Sequence, residues 1–401
     1  MQHSLSPETY DVIVIGGGPS GIQTSMLLAE KGLRTVLIDK NTEIGKDVVC
    51  SGVISKEAFS RYDLPESAIL ASLGKADLYS PFGTFIPYCH PEETVVVVDR
   101  HKFDSELAKA AARKGVAIRL NTKVSSLDVN GDCVSAELRT ASGVSRIRAR
   151  TAVIATGVSF HLQSALGMGR PEKIIKGIQV EVRAEEVGRL RIYWGNEISA
   201  GFFGWAIPLS DGRTRVGVMT EEDPINGLNH ILSRIGPYRN ICSETGKVKR
   251  RGIAFGTISR SYSDRVVAVG EASGLVKTTT GGGIYYGLIS AEMASDTISE
   301  AFATGDFSAG TLSAYEKLWK KSLGREIAFG KRFHGFYSRL KDNSIEALFD
   351  AAKKDNLLHY ISRNGKFDWH KNAVVKILRS PNLRRVLLWE GINSVKANIS
   401  Y

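Results

Sequence analysis

Residues 10–21 read YDVIVIGGGPSG and residues 35–39 read TVLID. Asp11 to Ile15 is short, apolar and β-branched, as a strand buried on both faces requires. Gly16-Gly17-Gly18-Pro19-Ser20-Gly21 then fits GxGxxG, and Ile22 to Lys31 reads as a helix ended by Gly32. Thr35 to Ile38 is the next buried strand, ending in Asp39. Gly16 permits the tight turn, Gly18 lets the backbone approach a pyrophosphate, and Gly21 lets helix and strand pack closely. The phosphates face the positive end of a helix beginning near Ser20. Asp39, 18 residues past Gly21, can accept hydrogen bonds from an adenosine ribose. The unit predicts a Rossmann-type dinucleotide site built on Gly16, Gly18, Ser20, Gly21 and Asp39.

Further along, Thr94 to Val98 reads as a strand, and Arg100 to Lys114 has helical apolar spacing at Phe103, Leu107, Ala110 and Ala111. Strands follow at 116–120, 123–129, 134–140, 144–149 and 152–155, with Asn130-Gly131 as a hairpin turn. Residues 178–182, 190–194, 204–208 and 213–219 read as an antiparallel sheet with a turn at Ser210-Asp211-Gly212. A buried strand at 266–269 precedes a second glycine-rich segment and a helix near 283–303. The expected class is α/β: a Rossmann-type domain (8–75, 99–175 and 255–305) interleaved with an antiparallel-sheet substrate domain (76–98 and 176–254), plus a basic helical C-terminal region (306–401).

The chain has 401 residues, 43% hydrophobic and 24% charged, which is the balance of a globular protein. Cys50, Cys89, Cys133 and Cys242 are widely spaced with no CxxC pair. Neither a metal site nor a disulfide framework is expected, and the expected compartment is a reducing cytoplasm. Residues 1–10 lack the apolar core of a secretory signal. No run approaches the roughly 18 apolar residues of a membrane span. The net charge is +11, and residues 307–401 hold 18 Lys/Arg against 8 Asp/Glu, so nearly all the excess lies there. Such a segment suits an anionic membrane, a phosphorylated substrate, a nucleic acid or plain solvation.

Two later segments favour FAD over NAD. Val153 to Gly157 is a buried strand with a small exit, and RVVAVGEASG (265–274) places Gly270 and Glu271 where a second stretch of an extended cofactor can be held. TTTGGGIYYG (278–287) puts glycine N–H groups at a helix start, where they can face charge on a reduced ring. Tyr285 and Tyr286 read as ring or substrate contacts or as core. Arg100 reads as a fixed cation near the cofactor or as a surface residue. Cys50 reads as a reactive thiol or as a small buried hydrophobe.

Together, YDVIVIGGGPSG, Cys50-Ser51-Gly52, DRHKFDSELAKAA, RVVAVGEASG and TTTGGGIYYGL resemble the geranylgeranyl reductase family, flavoproteins of the p-hydroxybenzoate hydroxylase-like superfamily. The resemblance implies FAD held by Ser20, Gly21, Asp39, Arg100, Gly270 and Glu271, with Val124 on the adenine side and Gly283 and Ile284 under the isoalloxazine. It places Cys50 and Ser51 near the flavin and makes Cys50 the catalytic candidate. Glu271 stands where the superfamily usually has Asp. Ala272-Ser273 and Thr156-Gly157 depart from the hydroxylase pattern, which argues against oxygen insertion. Phe203-Gly204-Trp205-Ala206-Ile207-Pro208 departs at two aromatic positions from the Tyr-x-Trp-x-Phe-Pro of archaeal lipid reductases.

The implied activity is saturation of carbon–carbon double bonds in a polyprenyl chain. Phe203, Trp205, Ile207, Pro208 and Tyr285 would contact the substrate, and NADPH or a ferredoxin-like carrier would supply electrons. Peripheral contact with an anionic membrane at its inner face is expected, and nucleic acid is not. An FAD-dependent hydroxylase or halogenase, and a non-catalytic flavin- or lipid-binding protein, are the competing readings.

Overall fold

The computed structural model describes residues 9–91, 94–184, 187–237, 239–240, 248–386 and 388. Cys242 and the first eight residues lie outside the described residues. Three sheets organise the chain. The first runs Tyr262–Ser263, Val266–Ala268, Gly143–Ile154, Thr9–Ile15, Thr35–Ile38, Ala117–Arg119, and the hairpin Lys123–Asn130/Cys133–Thr140 continues from its long strand. Four of its neighbour pairs are parallel, with Thr9–Ile15 flanked by Gly143–Ile154 and Thr35–Ile38. Val12, Ile13 and Val14 are fully buried, because helices pack on the face that Val12 and Val14 present and the hairpin strands pack on the face that Ile13 presents.

The first helix spans Pro19–Glu30 and so begins inside the glycine motif, three residues before the expected start. Proline is favoured in the first helical turn, where its missing N–H would have no partner. The strands expected at 144–149 and 152–155 are one strand, Gly143–Ile154, whose outer half pairs with the hairpin and whose inner half enters the parallel sheet.

The second sheet joins Lys173–Arg183, Arg213–Thr220, Gly204–Pro208, Leu190–Tyr193, Lys75–Tyr79 and Phe85–Cys89, with Lys249–Phe255 on the far side of Lys173–Arg183. It is not wholly antiparallel, because Leu190–Tyr193 runs parallel to Lys75–Tyr79. A small third sheet, Val53–Ser55, Val95–Val98 and Ile69–Leu73, lies between the two, with Val97 packed on Ile207 and Leu209. The long helix Ile284–Thr304 packs against the first helix in the main core, and a helical tail follows from Ala309. Among the described residues no helix is long and apolar enough to cross a membrane.

The first helix leaves no room for a side chain where it crosses the sheet. A Cβ on Gly21 would overlap the Gly16 carbonyl oxygen, and one on Gly16, at φ +114°, would overlap the Ala155 carbonyl. Gly21→Ala is therefore expected to cost about 3 kcal/mol of unfolding free energy, at the upper end for a single substitution, read by denaturant titration. Gly32→Ala, where an added Cβ meets nothing within 4 Å, is expected to cost about 1 kcal/mol, from its positive φ alone.

Candidate active site

The glycine loop ends at Gly18, the residue before the first helix, where an added Cβ would meet no atom within 4 Å. This is open space at a helix N-terminus, which favours an anion. Asp39 braces the loop: Oδ2 accepts from the Gly17 N–H at 2.6 Å and Oδ1 from the Asn41 N–H at 2.7 Å. The Ser20 hydroxyl lies where a Cβ on either Gly270 or Gly287 would stand. The glycine loop, the acidic turn and the long helix thus meet around one serine.

From Ser20 a cavity of about 630 Å³ opens between the two large sheets. Ser20, Cys50, Ser51, Arg100, Glu271, Gly283, Ile284 and Tyr285 line it, as do Phe203, Trp205 and Ile207 on the substrate-sheet side. Seven expected residues stand outside this lining. Gly16, Gly18, Gly21, Asp39 and Gly270 belong to the turns just described. Val124 is 4% exposed and packs into the core beside Ile13 and Ile154. Pro208 faces away because side chains alternate along Gly204–Pro208, and Trp205 and Ile207 take the cavity face.

Three consecutive carbonyls of the Cys50 loop are held by side chains of the second sheet. Arg251 Nη1 donates to the Val49 oxygen at 3.3 Å, Gln179 Nε2 to Cys50 at 3.2 Å, and Arg215 Nη1 to Ser51 at 2.6 Å. Arg215 is itself paired to Glu181 at 2.9 Å, and Arg251 to Glu271. Glu271, read from the sequence as a cofactor acceptor, also takes the Ala254 N–H at 3.2 Å. Its carboxylate therefore ties the acidic turn to the second sheet. Gln179, Arg215 and Arg251 escaped the sequence reading. Arg251 lies on a strand that was not expected, and nothing local marks the other two.

Arg100 follows Asp99, whose carboxylate caps the helix through the His101 and Lys102 N–H groups at 2.9 and 3.1 Å. Its guanidinium is buried and bidentate to Asp104, Nε to Oδ1 at 3.0 Å and Nη2 to Oδ2 at 2.8 Å. Burial alone pushes the Cys50 thiol up. The Arg100 charge, the Gly52 N–H at 3.4 Å and Arg251 more than offset this and hold it below the ordinary thiol value. Tyr285 donates to Glu57 at 3.0 Å, and burial and that carboxylate push its phenol up to about 12. It is a neutral wall residue. Tyr286 is core, donating to the Asp368 carbonyl at 3.0 Å.

The comparisons with known proteins agree with this geometry. The sequence model of the FAD dependent oxidoreductase family matches residues 89–297, and a second model of the same description matches residues 11–160. The chain belongs to the FAD dependent oxidoreductase family. It is 29% identical to a digeranylgeranylglycerophospholipid reductase of Methanosarcina acetivorans, over 86% of this chain and 89% of that one. It is 27% identical to digeranylgeranylglycerophospholipid reductase 2 of Methanothermobacter thermautotrophicus, over 94% and 98%. The resemblance to geranylgeranyl reductases is thus found again along nearly the whole length. In fold, a geranylgeranyl bacteriochlorophyll reductase-like protein from Thermoplasma acidophilum superposes with a TM-score of 0.82 at 24% identity, covering 95% and 98%. A p-nitrophenol 4-monooxygenase from Pseudomonas putida follows at 0.69 and 18%, covering 89% and 98%.

The residues present fit FAD. Gly18 leaves room at the helix end, and the cavity wall carries buried side-chain atoms with no partner in the protein: Gln179 Oε1, Trp205 Nε1, Thr280 Oγ1 and Asp368 Oδ2. Buried polar atoms are usually met by a protein group, a water or a ligand, and a cofactor in this cavity would meet these four.

Two outcomes follow for the Cys50 loop. Alkylation of Cys50 by iodoacetamide, resolved by peptide mass, is expected to rise with a midpoint below the roughly 8.5 of a free thiol. Gln179→Leu frees one of the three carbonyls and is expected to move that midpoint upward, since the thiol then loses its fixed place beside Arg100. An unchanged midpoint would show that the clamp does not position the thiol.

Proposed function

We propose that this chain reduces carbon–carbon double bonds in a polyprenyl chain carried by a lipid. The observation that carries the reading is that two apolar cavities adjoin. A second space of about 270 Å³ shares Leu78, Trp194, Phe203, Phe333, Leu358 and Val374 with the first and extends beneath the C-terminal helices Arg325–Tyr337, Asp342–Lys354 and Leu357–Asn364. Two adjoining apolar spaces, the first lined by Cys50 and Gly283, suit an extended isoprenoid better than a compact aromatic acid. Names of relatives at 27–29% identity point the same way.

Bound FAD supplies the hydride. Ser20, Gly21, Asp39, Gly270 and the Gly283–Ile284 helix start hold it, with Arg100 and Glu271 fixing the walls on either side. An isolated alkene accepts hydride poorly, so the chain's own residues act by placement, with the reacting atoms brought to about 3–3.5 Å. Phe203, Trp205 and Ile207 hold the alkene and exclude water. Cys50, acidified by Arg100, holds the proton that the second alkene carbon needs, at Sγ. The basic tail meets the anionic head of the lipid or of a membrane, and NADPH or a ferredoxin-like carrier recharges the flavin.

Dithionite-reduced, FAD-loaded protein incubated without oxygen with polyprenyl lipids, diphosphates and quinones is expected to add two mass units per reduced bond to a lipid-borne chain. An oxygenated product formed in air, with no saturation, would select the monooxygenase reading instead. Leu358→Trp, narrowing the passage between the cavities, is expected to cut turnover of a twenty-carbon chain at least tenfold and that of a ten-carbon chain less than twofold, read by the same masses.

A further inference from the structure

Lys277 and Asp368 form an ion pair, Nζ to Oδ1 at 2.6 Å, with side chains only 6% and 2% exposed. Burying two charges is costly, and such a pair is weak evidence of a stability device. Both residues line the large cavity, although they lie 91 positions apart and Asp368 belongs to the C-terminal tail.

The loop starting at Lys277 turns back on itself. Lys277 N–H donates to the Gly282 oxygen at 3.0 Å, and the Thr280 and Gly281 N–H groups donate to the Lys277 oxygen at 3.3 and 2.8 Å. The ammonium is thereby set against the backbone of Gly282, where an added Cβ would lie 3.1 Å from Nζ. The helix Ile284–Thr304 begins two residues later, and its positive end adds to the same wall.

The other groups packed around the ammonium are an aromatic ring, a neutral imidazole and a carboxylate turned to other partners. The Phe367 ring centre is 4.3 Å from Nζ. His370 bonds Thr279 at 2.7 Å and the Phe367 oxygen at 2.7 Å, and burial and the Lys277 charge push it down to about 4, so it is neutral at pH 7. Glu326 is turned to the His370 and Lys371 N–H groups, at 3.1 and 3.0 Å. Asp368 Oδ2 has no partner in the protein.

We propose that Lys277, held in place by Asp368, stabilises the negative charge that the flavin ring gains on reduction, so that the C-terminal tail sets the reduction potential of a cofactor gripped by segments that precede it in the chain. The inference rests on the FAD reading above. Reduction of bound FAD would take two electrons from an external reductant and one proton from solvent and would leave the ring a monoanion, and Lys277 would form and break no bond. A fixed cation on a wall sheltered from water favours that anion strongly, and a charge near the ring is a recognised lever on flavin electronics.

The test is an anaerobic dithionite titration of FAD-loaded protein beside a redox dye. Lys277→Met is expected to lower the midpoint so that the ratio of reduced to oxidised flavin at fixed potential falls at least tenfold, about 30 mV for a two-electron couple. Asp368→Asn, which unmasks the ammonium, is expected to raise it, and Lys277→Arg to leave it within threefold. A purely structural role would move Lys277→Met and Asp368→Asn the same way, and that result, or no shift in either, overturns the proposal. If Lys277→Met does not hold FAD, sulfite titration of Asp368→Asn decides. Sulfite adds to the ring as an anion and must bind more tightly than in wild type, and equal or weaker binding overturns the proposal. Wild-type protein that takes up no FAD overturns the functional reading as well, whereas FAD uptake with insensitive potentials removes this inference alone.

Discussion

The meeting of three backbone segments around the Ser20 hydroxyl governs the rest of the structure. Gly270 and Gly287 must lack side chains for the acidic turn and the long helix to reach the glycine loop. The Gly270 N–H donates to Ser290 at 2.9 Å, and Ser290 in turn bonds the Gly287 carbonyl at 2.8 Å. This junction fixes the distance between residues that are some 250 positions apart in the chain. A long cofactor can be gripped at both ends only if that distance is invariant, and close packing of backbone supplies the rigidity.

Charge then joins the second sheet to the first. Arg251 reaches Glu271 and the Val49 carbonyl, while Arg215 reaches Glu181 and the Ser51 carbonyl. Planar guanidinium groups suit the task because each satisfies a carboxylate and a carbonyl at once, which an ammonium on a flexible stem does less well. The cavity is therefore bounded on one side by tightly packed glycines and on the other by hydrogen-bonded arginines. The greasy surface between them stays open because its neighbours are held apart.

What was legible in the sequence was local. Val12 to Ile15 alternate with nothing and so announce burial on both faces. Gly16 to Gly21 carry a turn that few other residues permit, and Asp39 sits at a spacing that the βαβ unit dictates. Illegible were features set by tertiary contact. Lys249–Phe255 begins with three charged or flexible residues, Lys249, Arg250 and Arg251, which a strand pattern does not favour, yet it pairs along Lys173–Arg183. Pro208 looked like part of an apolar run until the register turned it away from Trp205 and Ile207. The charge of the tail left its partner open between a membrane, a phosphorylated substrate, a nucleic acid and solvent. Asp368 and His370 could not be assigned inward, because their partners Lys277 and Thr279 are nearly a quarter of the chain away.

That the roof of the passage comes from the last described helices bears on how the molecule is made. Ribosomes deliver the two sheets first, and Phe333, Phe349, Leu358 and Val374 arrive only as synthesis finishes. Until then the sheet face around Trp194 and Phe203 is a bare oily trough, a patch that invites self-association. A chain stopped near residue 330 would retain both glycine-rich loops and the arginine ties while leaving that trough uncovered, so nonsense or frameshift lesions late in the coding sequence should surface as insoluble protein.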